Sequence, residues 1–367
     1  TKEQLSEYDE DERVRNEDDT LKMYPKGTFI YRLAGREREK SASYYTPEVL
    51  TKSLVKYALK ELLVDKTADE ILELTICEPA MGSAAFLNEA VNQLAEKYLE
   101  LKQKETGISI PHDEYTIEKQ KVKMYIADRN VYGVDLNQIA VELAEVSLWL
   151  NTIYSGAYVP WFGLQLVNGN SLVGARKQVY QRKLLSKSKK LSEHWYNEAP
   201  VRVNPGEKRP PNSIYHFLLG DPGMVDYKDK VIKELAKDKI DYMNKWKKEF
   251  ISGYTDDEIR QLLNLSSTID ILWEKHAELR KDLREKTKDR LTIFGHNEDN
   301  LEDMHLSTKE KDKILKEEYY SEGMMNAGPY ARLKFAMDYW CALWYWPIEK
   351  AEMIPTRAEL LLDVALI

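Results

Sequence analysis

The sequence has little cysteine and no long apolar segment. Cys77 and Cys341 are its two cysteines, and they form no Cys-x-x-Cys pair, so neither a disulfide framework nor a redox motif is indicated. This usage fits a reducing cytoplasm, and Cys77, inside an apolar run, is expected to be a small buried residue. No window of eighteen apolar residues occurs and no signal-peptide pattern is visible, so neither a membrane span nor a membrane partner is predicted.

Histidine is scarce, and an excess of positive charge is missing. The six histidines are scattered without the spacing of metal ligands, so no metal site is predicted. Lysine and arginine total 54 against 62 acidic residues, a net charge of −8, so a nucleic-acid partner would need a local basic patch. One basic run can meet a phosphate backbone, although a solvated loop is the commoner state of such runs. Its members are Arg176, Lys177, Arg182, Lys183, Lys187, Lys189 and Lys190.

Four regions of different composition follow one another along the chain. Residues 1–43 are polar and charged, which predicts a mobile arm or linker. Residues 44–175 alternate helical and strand patterns. Residues 176–329 begin with basic and loop segments and continue with three helical patterns, which predict an insertion that packs on itself. The second pattern is expected to begin at Thr255, with Glu258 spaced as in a capping box, and the third at Ser266 and Ser267. Residues 330–367 are aromatic and helical and are expected to return the chain to the core, with their tryptophans packed rather than free to stack on bases.

The pattern of residues 44–175 predicts an α/β fold. A helix is expected to begin with Thr46 as its N-cap and Pro47 in its first position, and it carries an apolar stripe that includes Leu50 and Leu54. Strands are predicted over 71–77, 131–136 and 164–172, with helices between them. Strand, helix, strand, helix, strand in this order is typical of a doubly wound parallel sheet.

The predicted strands end in residues that suit a nucleotide ligand. In open parallel sheets, ligands bind outside the carboxyl ends of the strands, where Glu78, Gly82, Asp135 and Asn170 stand. Gly82 permits close backbone approach, and Asp135 can accept both hydroxyls of a ribose. The stretch lacks the Gly-x-Gly-x-x-Gly pattern of dinucleotide sites and the lysine of a P-loop. An acid at the first strand end favours a ligand with a positive group, such as S-adenosylmethionine, over NAD or ATP.

Four motifs together resemble a known family. They are "SYYTPEVLTKSLV", "CEPAMGSAAFLNEAV", "YGVDLNQIAVELAEVSLWL" and "NGNSL". In this order they resemble DNA adenine-N6 methyltransferases of restriction–modification and phage-defence systems, in particular the large single-chain kind of type IIG enzymes and of BREX- or DISARM-like systems. The resemblance covers about residues 41–175. It implies a partial Rossmann-like, S-adenosylmethionine-dependent methyltransferase core with a large helical insertion.

The resemblance also implies which residues hold the cofactor. The tyrosine–threonine–proline element and the glycine loop would hold the methionine end of S-adenosylmethionine. Asp135 would bind the ribose, Leu136 would pack on the adenine, and Asn170 would contact the adenine amino group. The residues implied in cofactor binding are Tyr45, Thr46, Pro47, Glu78, Ala80, Gly82, Asp135, Leu136 and Asn170.

Two departures from the family pattern stand out. The family loop usually has glycine where Ala84 stands, and often cysteine where Met81 stands, so Ala84 adds a methyl group near the cofactor and leaves the strength of cofactor binding open. The catalytic motif, Asn or Asp followed by two prolines and an aromatic, is missing, and "NPGE" (204–207) and "DPGM" (221–224) match it only in part. No catalytic residue is therefore assigned. The chain has the look of a piece of a longer protein, and the motif is expected beyond Ile367.

These observations predict the cofactor-binding part of a DNA methyltransferase. The full protein would transfer a methyl group from S-adenosylmethionine to adenine N6 in double-stranded DNA, with defence-system proteins as possible partners, while this chain alone would be inactive. Two alternatives stay open. The chain would be a non-catalytic interaction module with a degraded methyltransferase fold, or part of a methyltransferase that acts on a substrate other than DNA.

Overall fold

A computed structural model describes residues 46–187, 193–296, 306–320 and 328–366, together with residues 16, 20 and 21. The predicted arm over 1–43, apart from these three residues, lies outside the described part, and so does Tyr45. Residues 45–367 form one compact unit, to which all the helices and strands below belong.

The first half of this unit alternates helices with short parallel strands. Its elements are α1 (Glu48–Leu62), α2 (Ala68–Leu72), β1 (Ile76–Glu78), α3 (Ala85–Thr106), α4 (His112–Arg129), β2 (Val131–Asp135), α5 (Gln138–Thr152) and β3 (Leu166–Asn168). The strands lie in the order β1-β2-β3, and both pairs are parallel. This confirms the predicted α/β class with a parallel sheet.

The first core lies between this sheet and its helices. Apolar residues of α3, α4 and α5 that recur at helical spacing are buried together with the interior of the sheet, among them Leu94, Tyr98, Ile126, Val131 and Leu148. Helices α3 and α4 also pack on each other, and Met81 and Ala84 of the segment after β1 belong to the same core.

The second half contains a small antiparallel sheet and longer helices. Its elements are β4 (Gln178–Gln181), β5 (Val201–Arg202), β6 (Ser213–Tyr215), α6 (Lys230–Leu235), α7 (Lys237–Phe250), α8 (Asp256–Thr287), α9 (Thr308–Glu318), α10 (Pro329–Ala342) and α11 (Arg357–Ala365). The strand order is β5-β4-β6. A second core joins this sheet to the flanking helices, and Leu333 and Ala336 of α10 belong to that core. The tryptophans of residues 340–346 pack against it. The region boundaries at 175 and 329 stay predictions.

The prediction of two separate helices within residues 255–287 was wrong, because α8 runs unbroken for 32 residues. Its start is as predicted, with a capping box between Thr255 and Glu258. The serines that suggested a second start lie inside the helix. Ser266 Oγ donates to the carbonyl of Leu262 at 2.8 Å, and Ser267 Oγ donates to the carbonyl of Leu263 at 3.1 Å. A hydroxyl that bonds to the preceding turn satisfies its polar group without ending a helix.

Two predictions about buried surfaces were also wrong. Helix α1 begins at Glu48 with Pro47 as its N-cap, one residue later than predicted, and it packs through Thr51, Val55 and Leu59. The predicted apolar stripe lies on its exposed side, where Leu50, Leu54 and Leu62 stay accessible. Cys77 is exposed rather than buried. It lies in β1, which forms one edge of the three-stranded sheet in the described part of the chain.

The predicted strand over 71–77 begins later than expected. Residues 68–72 form the short helix α2, which has a capping box between Thr67 and Glu70. The strand proper is Ile76–Glu78. Among the residues that the structure describes, no helix is long and apolar enough to cross a membrane.

Candidate cofactor site

The carboxyl ends of the three parallel strands meet at one edge of the sheet. The register places Glu78 beside Gly133 and Asp135 beside Asn168. The glycine loop (residues 79–84) follows Glu78 and leads into α3. The segment after Asp135 leads into α5, and Asn170 follows β3 by two residues. The structure therefore brings the predicted residues of all three strand ends to the same edge.

Asp135 joins two of these strand ends directly. Its Oδ2 accepts a hydrogen bond from the backbone N–H of Gly82 at 2.9 Å, and its Oδ1 accepts one from the backbone N–H of Asn137 at 2.8 Å. A carboxylate offers about four lone-pair positions, so about two remain for a ligand. The side chain is thus held in one orientation and still has acceptor capacity on both oxygens.

The glycine loop packs against β2. The backbone N–H of Met81 donates to the carbonyl of Val134 at 3.0 Å, and the Met81 side chain is buried against Gly133. A Cβ at position 133 would collide with Met81 Sδ, so glycine is needed there for the loop to approach the strand. Gly82 itself has a φ of +53°, a conformation that glycine adopts without steric cost.

Ala84 occupies an unusual backbone conformation at the start of α3. Its φ of +65° and ψ of 30° place a non-glycine residue in the left-handed region. This conformation costs roughly 1–2 kcal/mol for an L-residue with a Cβ, which gives a physical reason for glycine at this position. The methyl group is fully buried in the first core, so it contributes to packing.

Asn168 was missed as part of this edge. Its Nδ2 donates to the carbonyl of Asp135 at 3.0 Å and to that of Leu136 at 2.9 Å, and the N–H of Gly169 donates to the carbonyl of Asp135 at 2.9 Å. These bonds fix the end of β3 against the turn that carries Asp135. The asparagine–glycine–asparagine stretch after an apolar run was the available signal, but only Asn170 was assigned.

Asn170 and Leu136 flank the Asp135 carboxylate along the chain. The Oδ1 of Asn170 accepts from the backbone N–H groups of Leu172 at 2.9 Å and Val173 at 3.3 Å. Because this oxygen is already bonded twice, the Nδ2 group is the better candidate for ligand contact. Leu136 is 72% exposed, and this accessible apolar side chain directly follows the acid.

Glu78 gives this edge a second carboxyl group. It is half-buried, and burial raises its pKa above the ordinary value, while a hydrogen bond from the backbone of Ala80 acts in the opposite direction. A carboxylate that loses solvation gains from a nearby positive charge, so this position suits a ligand with a cationic group.

Thr46 and Pro47 lie just ahead of α1. The carbonyl of Lys52, near the start of α1, accepts a hydrogen bond from Gln93 Nε2 at 3.2 Å, so the start of α1 lies beside the N-terminal half of α3. That half of α3 follows the glycine loop. The tyrosine of the same element, Tyr45, is outside the described residues.

Part of this chain is similar to known proteins. The family model for N-6 DNA Methylase matches residues 17–170, a span that includes all three strands of the parallel sheet. The matched span, residues 17–170, is less than half of the chain and is named the N-6 DNA methylase region after the family that it resembles. A Methanocaldococcus jannaschii protein with the name type II restriction enzyme and methyltransferase is 27% identical over 188 residues. The match covers 39% of this chain and 15% of that relative, so the chain spans only a small part of the relative's length.

The two partial matches to a catalytic motif lie outside the N-6 DNA methylase region. The side chain of Asp221 in "DPGM" accepts a hydrogen bond from the N–H of Gly223 at 2.8 Å, and Met224 is buried in the second core. The Glu207 carboxylate of "NPGE" accepts two hydrogen bonds from Asn204. Both aspartate and glutamate therefore hold local turns.

Other sites for chemistry are few. Across the described ranges, no group of three or more His, Cys, Asp or Glu residues has the arrangement of a metal site. His276 is packed among aromatic rings. A cavity of about 310 Å³ lies at the opposite, amino ends of the strands, where Thr75, Asn130 and Gln165 line it. Ligands of parallel sheets bind at the carboxyl ends, so this cavity is not the expected cofactor site of the N-6 DNA methylase region.

Proposed function

We propose that the N-6 DNA methylase region binds S-adenosylmethionine at the carboxyl edge of its parallel sheet, in a Rossmann-like methyltransferase core. The observation that carries this proposal is the Asp135 carboxylate, which Gly82 and Asn137 hold while both oxygens keep acceptor capacity. Two adjacent acceptors in fixed positions suit the two hydroxyls of a ribose.

The neighbouring groups support the rest of the ligand. Leu136 offers an apolar surface to an adenine ring, and the Nδ2 group of Asn170 can donate to a ring nitrogen. Glu78 and the glycine loop are then left for the methionine end, together with Thr46 and Pro47. The amino group and sulfonium of the cofactor are positive, which suits the half-buried carboxyl of Glu78.

The same charges argue against other nucleotides. A pyrophosphate would meet the carboxyl groups of Glu78 and Asp135, and the described glycine loop has neither a second glycine nor a lysine to bind phosphate. NAD and ATP are therefore the natural comparison ligands.

The reaction proposed for the whole protein is methylation of adenine N6 in double-stranded DNA within a restriction–modification or phage-defence system. When bound, S-adenosylmethionine supplies an activated methyl group on sulfur. The residues of this chain orient that cofactor, and orientation of the two reactants can account for much of a rate enhancement. An adenine inside a duplex must leave the base stack to reach such a site. A cytoplasmic location belongs to the same proposal, which the two free cysteines support.

Titration calorimetry with S-adenosylmethionine, NAD and ATP tests this proposal. We expect saturable heat with S-adenosylmethionine and none with the other two. Asp135→Ala removes both ribose acceptors and the anchor of Gly82, so we expect the dissociation constant to rise tenfold or more, which is about 1.4 kcal/mol or more.

Asp113→Asn is the matched control, because it removes an exposed acid from the first turn of α4. It should bind S-adenosylmethionine like the wild type. Equal affinities for the wild type and Asp135→Ala would place the cofactor elsewhere. No binding by the wild type would favour the alternative of a non-catalytic interaction module.

A further inference from the structure

Basic side chains from two segments, residues 176–177 and 202–209, line one groove in the second half of the chain. The groove has a volume of about 990 Å³ and lies between the antiparallel sheet and α8. Its cations are Arg176, Lys177, Arg202, Lys208 and Arg209. Only the first two belong to the basic run noted in the sequence, so the fold assembles a patch that the linear pattern does not show.

Most of the cations in this groove are available to a ligand. The side chains of Arg176, Arg202 and Lys208 are exposed, and within the described ranges these three side chains form no ion pair and no hydrogen bond. Arg209 is different, because its Nε contacts Asp270 Oδ2 at 2.8 Å and its guanidinium also binds the carbonyl of Ser213.

Two of the three acids that line the groove are already engaged. Asp270 accepts from Arg209 and, through its other oxygen, from the hydroxyl of Tyr215 at 2.8 Å. Glu207 accepts from the backbone and side chain of Asn204, and these bonds lower its pKa. Glu274 is the third acid. Five cations against three acids leave the groove positive on a chain whose net charge is −8.

Two of the basic residues are held in place by their neighbours. His216 Nε2 lies 2.9 Å from the backbone nitrogen of Arg176 and fixes that segment against the second core. The ammonium of Lys177 lies 5.9 Å from the centroid of the Trp273 ring, within the range of a cation–π contact. The positive groups therefore project from an ordered backbone.

We propose that this groove binds the phosphate backbone of double-stranded DNA. Unpaired arginine and lysine side chains in a concave surface neutralise phosphates and release counterions, which is the main source of sequence-independent DNA affinity. The groove also lies close along the chain to the candidate cofactor site, since Arg176 follows Asn170 by six positions. The choice of DNA rests on the proposed function, whereas the positive charge of the groove does not.

The salt dependence of DNA binding tests the groove. The full chain is titrated with a fluorescent duplex of about 20 base pairs, by anisotropy, from about 50 mM to about 300 mM NaCl. The test variant is Arg176→Gln, Arg202→Gln, Lys208→Gln, which keeps Arg209 because that residue is part of the fold. The control variant is Lys230→Gln, Lys233→Gln, Lys237→Gln, which removes three exposed lysines of α6 and α7.

We expect the slope of log affinity against log salt to become shallower by about three in the test variant, since each phosphate contact contributes about 0.9. Affinity at the lowest salt should fall roughly tenfold or more, while the control variant keeps the wild-type slope. Thermal unfolding followed by circular dichroism should match for all three proteins.

Three outcomes would overturn the proposal. The first is a test variant that keeps the wild-type slope. The second is a control variant whose slope and DNA affinity fall as much as those of the test variant. The third is a wild type that does not bind the duplex at the lowest salt. Calorimetry with S-adenosylmethionine on the same proteins separates this proposal from the previous one. Cofactor binding without DNA binding refutes only the proposal that the groove binds DNA. DNA binding without cofactor binding refutes only the proposal that the sheet edge binds S-adenosylmethionine.

Discussion

The backbone N–H of Gly82 donates a hydrogen bond to the carboxylate of Asp135 at 2.9 Å, although 53 residues separate them in sequence. This bond joins the glycine loop after β1 to the end of β2. It makes one residue both a ligand candidate and an anchor for the loop. Substitution of Asp135 should therefore affect the position of the loop as well as the contacts to a ribose.

Gly133→Ala should displace the glycine loop. The new methyl group would collide with the buried Met81 side chain, so we expect a loss of about 1–3 kcal/mol in the free energy of unfolding and roughly tenfold weaker S-adenosylmethionine binding. Gly169→Ala is the matched control, because a Cβ there makes only an ordinary contact, at 3.8 Å from Val134. Urea denaturation and calorimetry measure both effects. An unchanged urea midpoint and an unchanged cofactor affinity in Gly133→Ala would contradict the close contact between the glycine loop and β2.

Ala84→Gly should change little. Glycine relieves roughly 1–2 kcal/mol of backbone strain, but it loses about 0.8 kcal/mol of methyl burial and adds chain entropy, so stability should stay within about 1 kcal/mol. Ala84→Val should destabilise by about 2 kcal/mol or more, because a larger side chain would have to fit a fully buried site. Cofactor affinity of Ala84→Gly should stay within a factor of about three. A tenfold gain would mean that the methyl group reaches the cofactor.

Lys311→Met should lower the free energy of unfolding. Lys311 Nζ lies 2.6 Å from Asp289 Oδ1, and both side chains are at most 4% exposed, so the substitution breaks a buried ion pair and costs about 3–5 kcal/mol. The double variant Lys311→Met, Asp289→Leu should recover much of this loss. Lys313→Met on the same helix is the control, since that lysine is 72% exposed, and it should shift the urea midpoint little. Equal effects of the two single variants would contradict the prediction.

His216 should make stability depend on pH in the acidic range. Burial lowers the pKa of His216 from 6.5 to about 4, so the folded chain resists the proton that the unfolded chain accepts. The contribution of His216 to the free energy of unfolding is fully present above pH 6.5, and it is lost as the pH falls towards about 4. His216→Gln should remove this part of the dependence. Urea midpoints measured for both proteins at several pH values check it, and parallel curves would show that the histidine does not contribute.

Local signals were enough to predict the α/β class and the residues of the sheet edge. Short apolar runs, each followed by glycine, acid or asparagine, identify strand ends, and parallel pairing then brings Gly82, Asp135 and Asn170 to one edge. The hydrogen bonds of individual side-chain atoms could not be predicted from these signals. Asn170 Oδ1 is engaged with its own turn, and Asn168 fixes the strand ends, because those bonds depend on the loop conformation.

The wrong predictions have separate physical causes. Helix α1 carries apolar residues on more than one side, so its period does not tell which side packs. The serines of α8 satisfy their hydroxyls within the helix, so they do not end it. For α2, the capping pattern of Thr67 and Glu70 was present in the sequence, but the apolar run that follows it was assigned to a strand.

The groove as a whole could not be predicted from the sequence. Arg176, Arg202 and Lys208 come together only when residues 178–215 form the antiparallel sheet. A linear basic run gave part of the charge. The position of the groove beside α8, and the hydrogen bonds that engage its acidic side chains, depend on contacts between distant segments.

The most direct test of the central claim is a titration of the ¹⁵N-labelled chain with S-adenosylmethionine, followed by NMR of the backbone amides. We expect saturable shifts at Gly82 and Asn137, whose N–H groups bond to Asp135, and at Leu172, whose N–H group bonds to Asn170. Shifts centred instead on Thr75, Asn130 and Gln165, at the opposite end of the strands, would contradict it, as would the absence of any shift at saturating cofactor.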